Sequence, residues 1–311
     1  MVEITESNPL SLEASEPTVK LAPQKNTLQK LRNGCRALIA GAIVTILPNV
    51  HAEDAYDSST DPSSAIPTGK FVVGGGGPLP KQAIDIFVDS AGREYARIAV
   101  IPSASADAGI DTRVSSYFKG WENSGAKVWL AHPKDREEAS SDKFLEQFNS
   151  VTGIWLGGGD QGTFMDLVLD TKLEQKLYEL SEQGVVIGGS SAGAAVMSRR
   201  MIRKGNPMPE MGVGLNLIRG SIVDQHHKTR DRFKRLLRAV EGTDCLGFGI
   251  DDGAVLMING HRLTGIGGDV RIFRDKQEPY LLKSGMTKNW SDFGKSVLHS
   301  ETSGGILEKK P

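Results

Sequence analysis

From about Lys70 onward the chain alternates short, unbroken apolar runs with stretches of helical period. Phe71–Val73, Ile98–Ile101, Val128–Ala131, Ile154–Leu156 and Val185–Ile187 are too short for helices and apolar throughout, which predicts strands buried on both faces. Ile84, Phe87, Val88 and Ala91 instead recur at i, i+3, i+4 and i+7, the stripe of an amphipathic helix. Strand and helix in alternation predict an α/β fold, a mostly parallel sheet with helices on both faces. Further helices are expected over Ala192–Met201 and Lys228–Val240, the second with Phe233, Leu236, Leu237 and Val240 as its apolar stripe. Gly253–Ile258, Arg262–Ile266 and Arg271–Phe273 are short runs separated by turn residues, expected as antiparallel additions at the sheet edge.

The N-terminal stretch does not share this pattern. Residues 1–25 are polar and aperiodic; Lys25, Lys30, Arg32 and Arg36 then precede an apolar run, Ala37–Leu47, that exits through Val50-His51-Ala52. A basic flank, a short apolar stretch and a small-residue exit predict an export leader over 1–52, cleaved after Ala52, and hence a periplasmic or extracellular location. A core helix or an uncleaved anchor is the competing reading. The run falls short of the roughly 20 apolar residues of a membrane span, so no stable span is expected. Residues 53–68, rich in Asp, Ser and Pro, read as a disordered linker. The catalytic domain is expected over 69–285, and 286–311 is a polar tail.

Charge narrows the function classes. With 37 Lys+Arg against 38 Asp+Glu the formal net charge is −1, which offers no broad cationic surface for nucleic acid. Two cysteines cannot build a disulfide framework, and neither sits in a zinc-binding spacing, so no metal or other cofactor is expected. The 36 glycines concentrate where predicted strands end, and in an open parallel sheet those C-terminal ends are where ligands bind.

Gly189-Ser190-Ser191-Ala192-Gly193 fits G-x-S-x-G and lies between a predicted strand and a predicted helix, the setting of a nucleophile elbow. A serine hydroxyl needs a base, and the base needs an orienting group. His226 and His227 compete for the first role, in Val223-Asp224-Gln225-His226-His227, while His132, His261 and His299 lack comparable polar company. Asp251 and Asp252, at a predicted strand end, compete for the second, and a plain Asp-Asp-Gly turn is the bland alternative. Gly157-Gly158-Gly159-Asp160-Gln161 could line an oxyanion site with backbone N–H groups from Gly158 and Gly159, Ala192 supplying another. Arg230 and Arg232 fall in the first turns of a predicted helix, where cations oppose the helix dipole unless an anion binds there. Gly74–Gly77 is only superficially a nucleotide loop, since Leu79 stands where G-x-G-x-x-G requires glycine. Asn289-Trp290-Ser291 matches a glycosylation pattern that is uninformative alone.

Four ordered motifs, Gly157–Gln161, Gly189–Gly193, Asp224-Gln225-His226 with the arginines after it, and Gly249-Ile250-Asp251-Asp252, resemble the cyanophycinase family of serine exopeptidases, relatives of the α-aspartyl dipeptidases. The resemblance covers about Lys70 to Leu282. It implies a flavodoxin-like three-layer α/β sandwich akin to class I glutamine amidotransferases, with Ser191 as nucleophile, His226 as base and Asp252 as triad acid. The family's acid is a glutamate, so Asp252 is one methylene shorter and is expected to demand a shifted backbone. The resemblance places Gln161, Asp224, Gln225, Arg230, Arg232 and Arg235 at substrate-binding positions, for cyanophycin or another aspartyl peptide. The implied reaction cuts the poly-aspartate backbone from one end and releases β-aspartyl-arginine. An aspartyl or isoaspartyl dipeptidase, or a catalytically silent binding protein of the same fold, are the competing outcomes. The oligomeric state is open, a homodimer among the options.

Overall fold

The computed structural model describes residues 68–108, 121–123 and 125–294. The expected leader, nearly all of the linker and the tail beyond Gly294 lie outside the described residues. Fourteen strands are present among those described: β1 (Lys70–Gly74), β2 (Arg97–Ile101), β3 (Lys127–Leu130), β4 (Gly153–Leu156), β5 (Val186–Ser190), β6 (Arg200–Lys204), β7 (Glu210–Val213), β8 (Ser221–Gln225), β9 (Leu246–Ile250), β10 (Val255–Asn259), β11 (Arg262–Ile266), β12 (Val270–Phe273), β13 (Tyr280–Leu282) and β14 (Thr287–Asn289). The helices used below are α1 (Lys81–Ala91), α2 (Arg136–Ala139), α3 (Asp142–Leu145), α4 (Gln161–Val168), α5 (Lys172–Glu182), α6 (Ala192–Ala195) and α7 (Phe233–Val240).

Eight strands form the main sheet in the order β14-β11-β10-β1-β5-β4-β2-β3. The five from β1 to β3 in that order are parallel, and β10, β11 and β14 extend the sheet antiparallel beside β1. Alternation along each parallel strand explains why the runs are apolar throughout. Val72, Ile98, Val100, Trp155 and Val186 face α1 through Phe87, Val88 and Ala91. Phe71, Val73, Ile101, Leu156 and Ile187 face the opposite layer, with Phe164 of α4 and Leu177 of α5. The result is an α/β, flavodoxin-like fold. Among the described residues, no helix is long and apolar enough to cross a membrane.

Three expectations change. Arg271–Phe273 does not join the main sheet: β12 belongs to a second sheet, β13-β12-β9-β8, in which β8 and β9 run parallel. One face of this sheet packs on the main core through Val223, Phe248 and Ile250. Ile222 and Phe273 instead pack with Leu236 and Val240 of α7. The helix expected over Ala192–Met201 ends at Ala195, because the carbonyls of Val196 and Met197 accept from Leu215, Leu217 and Ile218. The chain then enters the β6–β7 hairpin. Finally, the helix expected from Lys228 begins only at Phe233, after turns that place Asp231 at φ 48°. Its buried face is Arg235, Leu236, Ala239 and Val240, whereas Phe233 and Leu237 are each 40% exposed. An inward arginine has rotated the helix away from its apolar stripe.

Candidate active site

The site lies where three strands end. Ser191 follows β5, His226 follows β8 and Asp252 stands two residues beyond β9, so the main sheet supplies the serine and the second sheet the other two. The elbow explains both motif glycines. A Cβ on Gly189 would lie 2.6 Å from the Gly193 carbonyl oxygen, and one on Gly193 would lie 2.0 Å from that of Leu156. Ser191 itself sits at φ 55° and ψ −119°, a region L-residues rarely occupy and one associated with functional sites. Its N–H donates to the Gly74 carbonyl at 3.0 Å, and its own carbonyl accepts from Ala194 and Ala195 to start α6.

Ser191 Oγ lies 2.8 Å from His226 Nε2, and His226 Nδ1 lies 2.5 Å from Asp252 Oδ1. A carboxylate only accepts, so Nδ1 carries the proton and Nε2 presents its lone pair to the serine. His227 points elsewhere: its ring is buried, centred 5.3 Å from that of Phe273, and fills the space beside Gly249, where a Cβ would come within 2.7 Å. Asp251 and Asp252 also separate by contact. Asp251 accepts from the Thr229 N–H (3.0 Å) and hydroxyl (2.6 Å), tying the turn after His226 to the end of β9. Asp252, despite its shorter side chain, reaches the imidazole directly.

Gly158 and Ala192 flank the serine. A Cβ on Gly158 would fall 3.4 Å from Ser191 Cβ, and among the described residues neither its N–H nor that of Ala192 donates to another backbone carbonyl. Both are therefore free to meet an oxyanion. Gly159 is also closely packed: at φ 143° it would place a Cβ 2.0 Å from the Ala104 carbonyl oxygen, and its N–H likewise donates to no backbone carbonyl among the described residues. Asp160 caps α4, accepting from the Thr163 N–H at 2.7 Å.

The six residues at expected substrate positions divide. Asp224 is fully buried and pairs with Arg235 through two hydrogen bonds, one of them 3.2 Å long to Nε; Arg235 Nη1 also donates to the Gly205 carbonyl at 3.1 Å. Gln161 donates its amide to the carbonyls of Ile202 (3.0 Å) and Arg203 (2.8 Å). These three side chains are occupied by the protein. Gln225 is 4% exposed and its Oε1 has no partner among the described residues. Arg232 donates to the Gln225 carbonyl at 2.7 Å and stays 3.8 Å from Asp224. Burial, reinforced by the Arg235 charge, lowers its pKa to about 10. Arg230 is exposed, and its guanidinium has no carboxylate partner among the described residues. Two arginines thus meet one buried carboxylate and Arg230 meets none, leaving cationic charge in the segment after His226, with Arg232 in electrostatic reach of Asp252.

Two features escaped the sequence pattern. Gly75 and Gly76 form a floor under the triad: the Gly75 carbonyl accepts from the His226 N–H at 2.8 Å, and a Cβ on Gly76 would lie 2.1 Å from His226 Cε1. Four glycines running from the last residue of the first strand, Gly74–Gly77, were the available signal. His132, expected to lack polar company, is half-buried beyond β3, with Nδ1 2.9 Å from Ser103 Oγ beyond β2; burial lowers its pKa against the raising effect of Glu138. Among the described residues no three His, Cys, Asp or Glu side chains converge as a metal site would require.

Comparison with known proteins agrees with this architecture. The chain is 36% identical over 182 residues to the cyanophycinase of Geminocystis herdmanii, covering 55% of this chain and 66% of that protein. It is 34% identical over 182 residues to the cyanophycinase of Trichormus variabilis, covering 55% and 60%. The matched stretch therefore spans less than two thirds of either relative. A peptidase structure from an acI-B1 Actinobacterium superposes with a TM-score of 0.60 at 20% identity, covering 72% of this chain and 98% of that one, which supports the fold. Residues 71–266, from β1 to the end of β11 and enclosing all three strand ends that meet at the site, match the model of peptidase family S51, and the chain belongs to that family.

Proposed function

We propose that this protein is a serine exopeptidase of the cyanophycinase type, hydrolysing the poly-aspartate backbone of cyanophycin to β-aspartyl-arginine through an acyl-enzyme. The observation that carries the reading is the continuous Ser191–His226–Asp252 relay, 2.8 and 2.5 Å per link, set beside arginines that outnumber their carboxylates. Ser191 Oγ attacks the aspartyl carbonyl as its proton passes to His226 Nε2, and Asp252 steadies the resulting imidazolium. The N–H groups of Gly158 and Ala192 receive the oxyanion. His226 then protonates the departing amine, and water, deprotonated by the same imidazole, releases the acid and restores the serine. Arg230 and Arg232 hold substrate carboxylates, since a guanidinium meets a carboxylate with two parallel hydrogen bonds.

Incubation with insoluble cyanophycin should release β-aspartyl-arginine, detected by mass spectrometry, and Ser191→Ala should release none. Cleavage of Asp-X or isoaspartyl dipeptides with no action on polymer would replace this reading by the dipeptidase one. An export leader over 1–52 belongs to the same proposal; N-terminal sequencing of the exported protein should begin at Glu53.

A further inference from the structure

We infer that the tip of the β6–β7 hairpin is a specificity-determining element of this site, with Asn206 the positioning residue for Arg230. The inference rests on the carboxylate-binding reading above and extends it to residues outside the motifs. Arg230 lies in a non-helical stretch between His226 and α7, where its neighbour Asp231 adopts φ 48°. No regular element directs its side chain. Beside the local bond from the Arg230 N–H to the His226 carbonyl (3.0 Å), a tether comes from the hairpin: Asn206 Nδ2 donates to the carbonyls of both Arg230 (3.2 Å) and Asp231 (3.4 Å). The same tip presents the Gly205 carbonyl to Arg235 Nη1 at 3.1 Å and the Pro207 carbonyl to Arg238 Nη1 at 2.8 Å.

Just before the tip, strand β6 is fixed to α4. Gln161 holds the Ile202 and Arg203 carbonyls, and Arg203 pairs with Asp166 at 2.7 and 3.1 Å. The hairpin therefore spans from the helix behind the Gly157–Asp160 loop to the arginine-bearing segment. Asn206 is itself exposed, so its bonds are not needed to fill the core. Hydrogen bonds to two adjacent carbonyls fix the backbone from which Arg230 projects, and they place the guanidinium without touching substrate.

The test uses the full chain in a Ser191→Ala background, titrated calorimetrically with β-aspartyl-arginine and with succinate as a minimal dicarboxylate. Asn206→Ala and Asn206→Asp should each weaken binding about three- to tenfold, the combined effect of losing two long hydrogen bonds to carbonyls. In the Ser191-containing protein the same substitutions should raise KM with kcat retained, and should leave labelling of Ser191 by a small uncharged phosphonate within about twofold. Unchanged affinity in both variants, or labelling that falls in step with affinity, would overturn the inference while leaving the carboxylate reading intact. If Ser191→Ala binds neither ligand, the carboxylate reading fails and the inference falls with it. Melting temperatures of both variants separate these results from loss of fold.

Discussion

His226 Nδ1 and Asp252 Oδ1 lie 2.5 Å apart with Gly76 packed beneath them both, where a Cβ would come 2.1 Å from the imidazole and 2.8 Å from that carboxylate oxygen. The aspartate reaches the histidine because the glycine floor lets the two backbones approach. A glutamate inserted here has an extra methylene to accommodate within the same short link to the imidazole. Asp252→Glu should therefore fold and retain the relay, with kcat reduced about 10- to 100-fold by displaced geometry. Asp252→Asn should cost on the order of 10⁴ in kcat by favouring the wrong tautomer. Steady-state kinetics on β-linked aspartyl substrates decides: a glutamate variant faster than the native enzyme would show that the aspartate is not fitted to its site.

The same floor predicts the effect of the smallest possible side chain. Gly76 has φ 127°, and its Cβ would overlap the imidazole, so Gly76→Ala must displace His226, itself held by the Gly75 carbonyl. Misplacement by about 1 Å is worth roughly 10² in rate. The expected result is a loss of at least that size in kcat with secondary structure retained, measured beside Ser191→Ala, whose loss should reach about 10⁶.

This floor also shows what was legible in the sequence. The elbow could be read because glycines at 189 and 193 answer a local steric demand, and the parallel strands because residues buried on both faces leave unbroken apolar runs. His226 and His227 could not be separated by pattern, since they are adjacent; tertiary contact with Ser191 on one side and Phe273 on the other separates them. The same holds for Asp251 and Asp252. The start of α7 is not legible in the sequence because Thr229 and Asp231 sit in turns held from the residue after β9 and from the β6–β7 hairpin, partners more than twenty residues away. Arg235 lies off the apolar stripe of Phe233, Leu236, Leu237 and Val240, and only the buried Asp224 reveals why it turns inward.

That inward turn separates two arginines that look alike in sequence. Arg235 neutralises a fully buried carboxylate, so Arg235→Met leaves Asp224 without its main partner and should cost about 3–5 kcal/mol of stability. Arg232 is desolvated without a close carboxylate, and Arg232→Met should change stability by less than about 1 kcal/mol while sharply raising KM for carboxylate substrates. Urea unfolding of both variants gives the comparison; equal losses would refute this division of roles.

Asp251 predicts a pH-dependent contribution. Partial burial pushes its carboxyl up, but the Thr229 hydroxyl and N–H, the Asp252 N–H and the Lys228 charge outweigh burial and hold it below the ordinary carboxylate range. A folded-state pKa below the unfolded one stabilises above the unfolded value and loses that contribution as pH falls through the folded one. Asp251→Asn should thus lower stability near neutrality by roughly 0.5–1 kcal/mol, a figure reduced for solvent screening. The difference from the native protein should close as pH drops below about 4. Thermal melts across that range test the sign.

Arg232 also has a lowered pKa, but in its case the fold disfavours the charged form, whereas it favours the charged form of Asp251. Burial first, and then the Arg235 charge, lowers its pKa to about 10, so the fold penalises its charged form, and this group's contribution becomes more favourable as pH rises from about 10 towards the unfolded value. At neutral pH the guanidinium remains charged and poorly compensated, a cost that a bound carboxylate relieves. Ligand at 100 times its Kd stabilises by about 2.7 kcal/mol, which corresponds to roughly 5–10 °C in Tm for a domain of this size. Succinate or β-aspartyl-arginine should produce such a shift in Ser191→Ala protein at pH 7, most of it should vanish in Ser191→Ala/Arg232→Met, and affinity should fall as pH rises through about 10. A shift that survives removal of Arg232 would assign carboxylate binding to Arg230 alone.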